Sequence, residues 1–171
     1  MPGVTAPPPA APEWPDAAAP LRRILLGIVF VGALGLELEL LLLEHFESPW
    51  QWAPLVLLGA VLAGGAALAA RPARGTVRLF QGLMLLCLAF GLIGVYLHYV
   101  GNVEFQLEEE PTRRGLALFW EAIRGATPAL APGALVQLGL VGLASTFRQP
   151  MLRASPPVRA TGAGIHSGDR S

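Results

Sequence analysis

The chain has 171 residues, of which 53% are hydrophobic and 14% are charged, and its mean hydropathy is +0.53. A soluble domain normally carries about 25% charged residues, so this composition excludes a water-soluble globule and indicates an integral membrane protein. Twelve arginines balance twelve acidic residues, and the chain contains no lysine. Because the net charge is zero, a nucleic-acid partner is not expected.

Four apolar blocks dominate the chain, each close to the roughly 20 residues that a helix needs to cross a bilayer core of about 30 Å. The proline- and alanine-rich residues 1–20 and the aperiodic residues 151–171 are predicted to be disordered tails. The sequence therefore predicts an all-α fold, an integral membrane bundle of four transmembrane helices within residues 21–150. The predicted spans cover about 24–43, 50–70, 77–100 and 128–147.

The segment between the third and fourth predicted spans contains an amphipathic pattern. Its apolar residues recur at i, i+3, i+4 and i+7, while arginine and glutamate occupy the opposite side. This spacing predicts a helix over about 112–124 that lies in the membrane interface. The apolar residues are Leu116, Phe119, Trp120 and Ile123.

Arginine is unevenly distributed between the two sides of this layout. Both termini and the loop between the second and third spans share one side, which holds most of the arginines, whereas most of the acidic residues lie on the other. Because cytoplasmic segments carry an excess of arginine, both termini are predicted to be cytoplasmic. The arginines on the cytoplasmic side are Arg22, Arg23, Arg71, Arg74, Arg78, Arg148, Arg153, Arg159 and Arg170, against Arg113, Arg114 and Arg124 outside.

Small residues recur within the spans at positions that predict close helix packing. On the third span, Cys87, Gly91, Gly94 and His98 share one face, so His98 is expected to point into the bundle. Cys87 is the single cysteine and is expected to be a core residue. The remaining positions are Ala60 and Gly64 in the second span and Gly139 and Gly142 in the fourth.

Two histidines are predicted to lie at a similar depth near the outer surface, because His45 and His98 end the first and third spans. Glu44, Asn102 and Glu104 lie beside them in the sequence. Imidazole and carboxylate ligands together suit iron, zinc, manganese or copper, so a transition metal is one hypothesis for this cluster. The alternative is that all five are interfacial residues whose polar tips reach water.

Haem is a narrower version of the metal hypothesis, with one axial histidine from each of spans one and three. No covalent haem motif is present, so haem is not expected. Apart from the metal considered for the outer cluster, the sequence suggests no cofactor.

Glu37 and Glu39 interrupt the otherwise apolar first span. Intramembrane carboxylates commonly mark proton or ion paths, and seven residues separate Glu37 from Glu44, which predicts a shared helix face. A proton or cation path leading inward from the outer surface is therefore one interpretation. The other is that both carboxylates are protonated or hydrogen-bonded at helix contacts, or lie near the headgroups of a tilted span.

Two segments, HYVGNVEF (98–105) and GATPALAPGALVQLGLVGLASTFRQP (125–150), resemble a group of uncharacterised small bacterial membrane proteins with a four-span layout. This resemblance would cover residues 24–150. It implies the fold and a bacterial inner-membrane location but transfers no functional residue, since no activity comes with the group.

No established catalytic motif occurs in the chain, and no nucleophile is paired with a base at recognisable spacing, so an enzyme is not expected. The leading hypothesis is an accessory or interaction subunit whose partners are the lipid bilayer and other membrane subunits or further copies of itself. The alternative is a small oligomeric transporter or metal- or proton-binding membrane protein that uses the outer Glu and His residues.

Overall fold

The computed structural model describes residues 18–44, 46–47, 49, 51–125 and 130–153, and it contains no β-strand within these ranges. Three helices, α1 to α3, are long and apolar enough to cross a membrane by length and composition, which is consistent with a membrane location. The helices are α1 (Ala19–Leu42), α2 (Trp52–Ala70), α3 (Arg74–Glu109), α4 (Gly115–Ile123), α5 (Leu130–Ser145) and α6 (Pro150–Arg153).

The first helix begins earlier than the sequence predicts. Ala19 and Pro20, assigned above to a disordered tail, form the first turn of α1, because proline is tolerated where the backbone N–H has no intrahelical acceptor. Residues 151–153 likewise belong to α6 rather than to the predicted C-terminal tail. The rest of both predicted tails, 1–17 and 154–171, lies outside the described residues.

The third helix is much longer than its predicted span of 77–100. It has 36 residues, about 54 Å at 1.5 Å per residue, and so extends well beyond the length that a bilayer core requires. It starts where Thr76 Oγ1 accepts a hydrogen bond from the Ala73 N–H at 2.9 Å. It can be this long because no proline interrupts its turns. It ends at Glu109, two residues before Pro111.

The described part of the fifth helix is shorter than the predicted fourth span. Within the described residues α5 has 16 residues, about 24 Å, which is less than the core thickness of roughly 30 Å. Residues 126–129, where the sequence places the start of the fourth span, lie outside the described residues. Among the described residues, three helices meet the length for a full crossing.

Four of the helices form a bundle in which α1 and α3 occupy opposite corners. Each of these two helices packs on both α2 and α5, and no Cα atoms of α1 and α3 come within 8 Å of one another among the described residues. The centre is filled by apolar side chains that are almost fully buried, in agreement with the dense packing of protein interiors. The largest are Phe80, Leu58, Met84, Val29, Val61 and Val77.

The prediction of close helix packing at small residues is confirmed. A methyl group added to Gly91 of α3 would lie 2.8 Å from the Pro132 carbonyl oxygen of α5, and one added to Gly139 would lie 2.7 Å from the Met84 carbonyl oxygen. At Gly64 of α2, the Leu83 side chain occupies the space that a methyl group would need. We call the contact of α3 with α5 the glycine seam; it contains Gly91, Gly94, Gly139 and Gly142.

Helix α4 packs on the extension of α3 beyond residue 100. Its contact residue is Ala122, which is 0% exposed, whereas the apolar face predicted from the sequence stays largely uncovered by the described chain. Tyr99 of α3 and Phe119 of α4 stack with ring centroids 6.1 Å apart. The exposed residues of this face are Leu116, Phe119, Trp120 and Ile123.

Candidate functional site

The structure describes four of the five residues of the predicted outer metal cluster: one follows the end of α1, and three lie on α3 at the opposite corner of the bundle. Glu44 follows the end of α1 and is exposed, with a backbone φ of 52° in the left-handed region. His45 lies outside the described residues. His98, Asn102 and Glu104 all lie on α3.

The three α3 residues have different environments. His98 and Asn102 share a helix face, because α3 continues through both positions, and His98 is half-buried. Asn102 is buried, and its side-chain amide donates a hydrogen bond to the Ala122 carbonyl oxygen at 2.9 Å. Glu104 is exposed. Asn102 therefore holds the end of α4 against α3, a structural task that the sequence did not indicate.

Among the described residues, no group of three or more His, Cys, Asp or Glu side chains is arranged to hold a metal ion. The haem hypothesis stays a prediction from the sequence, because His45 lies outside the described residues.

Glu37 and Glu39 lie on opposite flanks of α1. Glu37 follows Phe30 by seven residues, and Phe30 packs beside Gly65, so Glu37 lies on the α2 side. Its Oε2 atom is buried, and no hydrogen-bond partner for it exists among the described residues. Glu39 is exposed.

The helix face that the sequence predicts for Glu37 and Glu44 does not form. Helix α1 ends at Leu42, and the left-handed backbone at Glu44 turns the chain away from the helical register. The two carboxylates therefore do not line one continuous face. Among the described carboxylates of the proposed proton path, Glu37 has the buried oxygen expected of an intramembrane site.

The acidic residues after Glu104 lie in the last turn of α3 and at the residue that follows it. Glu108, Glu109 and Glu110 are exposed. Glu110 forms an ion pair with Arg113 at 2.6 Å, and Arg113 also donates to the Gln106 side chain. This network stabilises the turn between α3 and α4, so part of the acidic run has a local structural role.

Sequence reasoning missed a small-residue face on α2, which we define as Gly59, Ala63, Ala66 and Ala70. These residues recur at spacings of four, three and four, so they lie on one side of the helix. All four are exposed on the bundle, and a methyl group added to Gly59 would meet no atom within 4 Å. The spacing could have been recognised beforehand, but its outward direction depends on which face of α2 the bundle buries.

The outward face of α3 has the opposite character. It is covered by large side chains, as expected of a surface that contacts lipid tails. Glycine in a helix costs about 1 kcal/mol relative to alanine, so the outward Gly59 needs a reason that the packing of the described chain does not provide. The large exposed residues on α3 include Leu79, Leu85, Leu86, Phe90, Leu92 and Ile93.

A second group that sequence reasoning missed lies at the opposite end of the bundle from α4. The Gln81 side-chain amide donates to Thr146 Oγ1 at 3.1 Å, and Thr146 Oγ1 donates to the Leu143 carbonyl oxygen at 2.9 Å. Thr146 and its neighbour Ser145 are buried. These bonds join α3 to the end of α5 through polar groups that are paired where burial would otherwise be costly.

Comparison with known proteins assigns no relative: no protein-family model, curated protein or solved structure matches the chain. The resemblance to small bacterial membrane proteins therefore stays a prediction from two sequence segments. The features that bear on function are the small-residue face of α2 and the buried position of Glu37 Oε2.

Proposed function

We propose that this chain is a multi-pass protein of a bacterial inner membrane that acts as an accessory or interaction subunit. In this proposal a transmembrane helix of another chain, either a different subunit or a second copy, packs on the small-residue face of α2. The observation that carries the proposal is the contrast between this face and the large apolar side chains that cover the outward face of α3.

The physical reason is that lipid tails give apolar helices no hydrophobic incentive to associate. Helix association in a bilayer depends instead on close van der Waals contact, which small residues at spacings of about four allow. The small-residue face spans residues 59–70, about 12 residues or roughly 17 Å, which is enough for about three turns of a partner helix. The outward face of α3 offers no comparable stretch and is suited to lipid.

The proposed topology has α5 as a fourth crossing helix, with both termini cytoplasmic and α4 in the outer interface. The distribution of arginine supports this orientation. The apolar face of α4, exposed on the described chain, is suited to the boundary between headgroups and tails, where aromatic residues such as Trp120 are favoured.

The test is photo-crosslinking in native membranes. A photoreactive residue replaces Ala66 in the small-residue face, or Ala89 on the outward face of α3 as the matched control, since both alanines are exposed. We expect a crosslinked product larger than the chain from position 66 and lipid adducts alone from position 89. Mass spectrometry of the product then distinguishes a second copy from a different subunit.

Lipid adducts alone from both positions would contradict the proposal. Ala63→Leu in the chain that carries the photoreactive residue at position 66 provides a second criterion, because a bulky side chain blocks the close approach of a partner helix. The crosslinked product should then decrease, whereas Ala89→Leu in a chain that carries the photoreactive residue at 66 should leave it unchanged.

A proton- or cation-binding membrane protein is the second candidate, favoured by the buried Oε2 atom of Glu37. An unpaired carboxylate within an apolar helix is costly and often marks an ion path. In proteoliposomes, Glu37→Gln should abolish any pH-driven flux, and Glu39→Gln, at an exposed position of the same helix, should preserve it. Equal flux in the wild type and in Glu37→Gln would contradict this candidate.

A further inference from the structure

Gln137 places an exposed amide in the middle of an apolar helix. No other polar side chain occurs from Leu130 to Leu143 in α5. The residue lies about 10 to 12 Å from Leu130 and Ser145, the two described ends of the helix. It is exposed on the described chain. In an α5 that crosses the membrane, this amide faces lipid tails, where a polar group without a hydrogen-bond partner is costly.

A second glutamine of the bundle has its partner within the chain. The side-chain amide of Gln81 on α3 donates to Thr146 Oγ1, just beyond the end of α5, at 3.1 Å. Gln137 points the other way, because the buried residues Leu135 and Leu138 define the inward side of α5. A hydrogen-bond partner for Gln137 on another helix therefore has to come from outside the bundle.

The residues around Gln137 leave room for a neighbouring helix. They recur at spacings of four, three and four, so they lie on one side of α5. A methyl group added to Gly133 would meet no atom within 4 Å, and Ala144 is exposed. The side is about 12 residues or roughly 17 Å long, about three helical turns. We call it the Gln137 face; it contains Gly133, Gln137, Leu140 and Ala144.

The chemistry of the amide favours a second copy of this chain as the occupant. A glutamine side chain both donates and accepts hydrogen bonds, so two glutamines are complementary to one another. Copies of one chain insert into a membrane in the same orientation, so a two-fold axis that relates two of them lies along the membrane normal. Such an axis brings Gln137 of each copy to the same depth. A different subunit would need its own hydrogen-bonding group at that depth.

From this arrangement we infer that two copies of the chain pair through the Gln137 face, with parallel α5 helices and hydrogen bonds between the two Gln137 side chains. Glutamine side chains join transmembrane helices in this way. The inference rests on the crossing of the membrane by α5 in the proposed function. It does not require a partner on α2, where the small-residue face contains no hydrogen-bonding side chain and stays available to another subunit.

The test is oxidative crosslinking of the full chain in membranes, with copper phenanthroline in air as the oxidant. Leu140→Cys places a thiol on the Gln137 face, and Leu85→Cys on the outward face of α3 is the matched control. The two leucines are 56% and 57% exposed. They lie at a similar depth, because a methyl group added to Gly139 would lie 2.7 Å from the Met84 carbonyl oxygen.

We expect a disulfide-linked dimer from position 140 and monomer from position 85. The wild type is the control for Cys87, which is buried and should give no dimer. Monomer alone from position 140, or equal yields of dimer from positions 140 and 85, would overturn the inference.

Substitutions of Gln137 test the amide itself. Because the chain contains no lysine, an amine-reactive dye labels its amino terminus, and energy transfer between labelled chains diluted with lipid gives the dimer dissociation constant. Gln137→Leu should raise this constant by about 3- to 30-fold, the range expected for hydrogen bonds between membrane helices. Gln137→Asn, which keeps an amide, should recover most of the lost affinity. An equal dissociation constant in the wild type and in Gln137→Leu would overturn the inference.

Two further measurements separate a failure of this inference from a failure of the proposed function. Ala63→Leu alters the small-residue face of α2 and should leave the dimer from position 140 unchanged. Loss of the dimer in Ala63→Leu but not in Gln137→Leu would place the second copy on α2 and overturn the inference. Flotation with phosphatidylcholine vesicles tests membrane insertion: a chain that does not float contradicts the proposed function, whereas one that floats and stays monomeric contradicts only the pairing through α5.

Discussion

The glycine seam and the small-residue face of α2 use the same kinds of residue in opposite ways. In the seam, a methyl group added to Gly91 would lie 2.8 Å from the Pro132 carbonyl oxygen, and one added to Gly94 would lie 2.8 Å from Pro132 Cβ. On α2, the space around Gly59 is empty to 4 Å. Both surfaces have the small-residue spacing that predicts helix packing, but among the described residues only the seam is occupied by this chain.

This difference shows that a small residue in a membrane helix has two meanings that composition does not distinguish. Where neighbouring atoms fill the space, the small residue sets the distance between two helices of the same chain. Where the space is empty and faces outward, a surface is left for another chain. The seam therefore predicts effects on folding, and the α2 face predicts effects on association.

The largest expected effect is at the seam. Gly91→Ala places a methyl group 2.6 Å from Val136 Cγ2 and 2.8 Å from the Pro132 carbonyl oxygen, so α3 and α5 must separate. Overpacking of this kind lowers the free energy of unfolding by about 1 to 3 kcal/mol. Denaturant unfolding in detergent measures it, with Gly82→Ala as the control, since a methyl group on Gly82 meets nothing within 4 Å. Equal free energies of unfolding for the two variants would contradict the close packing of α3 on α5 at the glycine seam.

A smaller effect is expected where α3 holds α4. Asn102→Ala removes the hydrogen bond to the Ala122 carbonyl oxygen and should cost about 1 kcal/mol, released as local opening of α4 rather than global unfolding. Trypsin should then cleave faster after Arg124, which follows α4 directly. Glu104→Ala, at an exposed position of the same extension, should leave the cleavage rate unchanged. An unchanged cleavage rate in Asn102→Ala would contradict the role of this hydrogen bond in holding α4 against α3.

The smallest effect on folding is expected on the α2 face. Ala63→Leu adds a side chain at an exposed position, so the free energy of unfolding of the isolated chain should change by less than about 0.5 kcal/mol. The same substitution should weaken the association proposed above. A loss of stability comparable to that of Gly91→Ala would mean that α2 packs within its own chain at this face.

Much of the helical architecture follows from local sequence. Pro20 lies in the first turn of α1, and Pro111 follows the end of α3, which contains no proline. Long apolar runs predict α1, α2 and most of α3. The small residues of the seam were predictable from their spacing, because close helix packing needs them wherever the helices cross. The amphipathic period predicted a helix within 112–124, where α4 lies.

The candidate site was less predictable, because it depends on which helices become neighbours. His45 and His98 end predicted spans of similar length, but no pattern within either span shows that α1 and α3 lie at opposite corners of the bundle. Asn102, considered above as a metal ligand, donates a hydrogen bond to the Ala122 carbonyl oxygen of α4. No local pattern identifies the acceptor, since Ala122 lies 20 residues further along the chain.

The abundance of leucine, the scarcity of charge and the uneven placement of arginine already imply an all-helical membrane protein, because apolar length and charge act locally along the chain. Tertiary packing decided which face of each helix is buried. It left the small residues of α2 outside and buried Glu37 Oε2 on the α2 side of α1. These outcomes depend on contacts between residues far apart in the sequence, and periodicity within one helix carries no information about its neighbour.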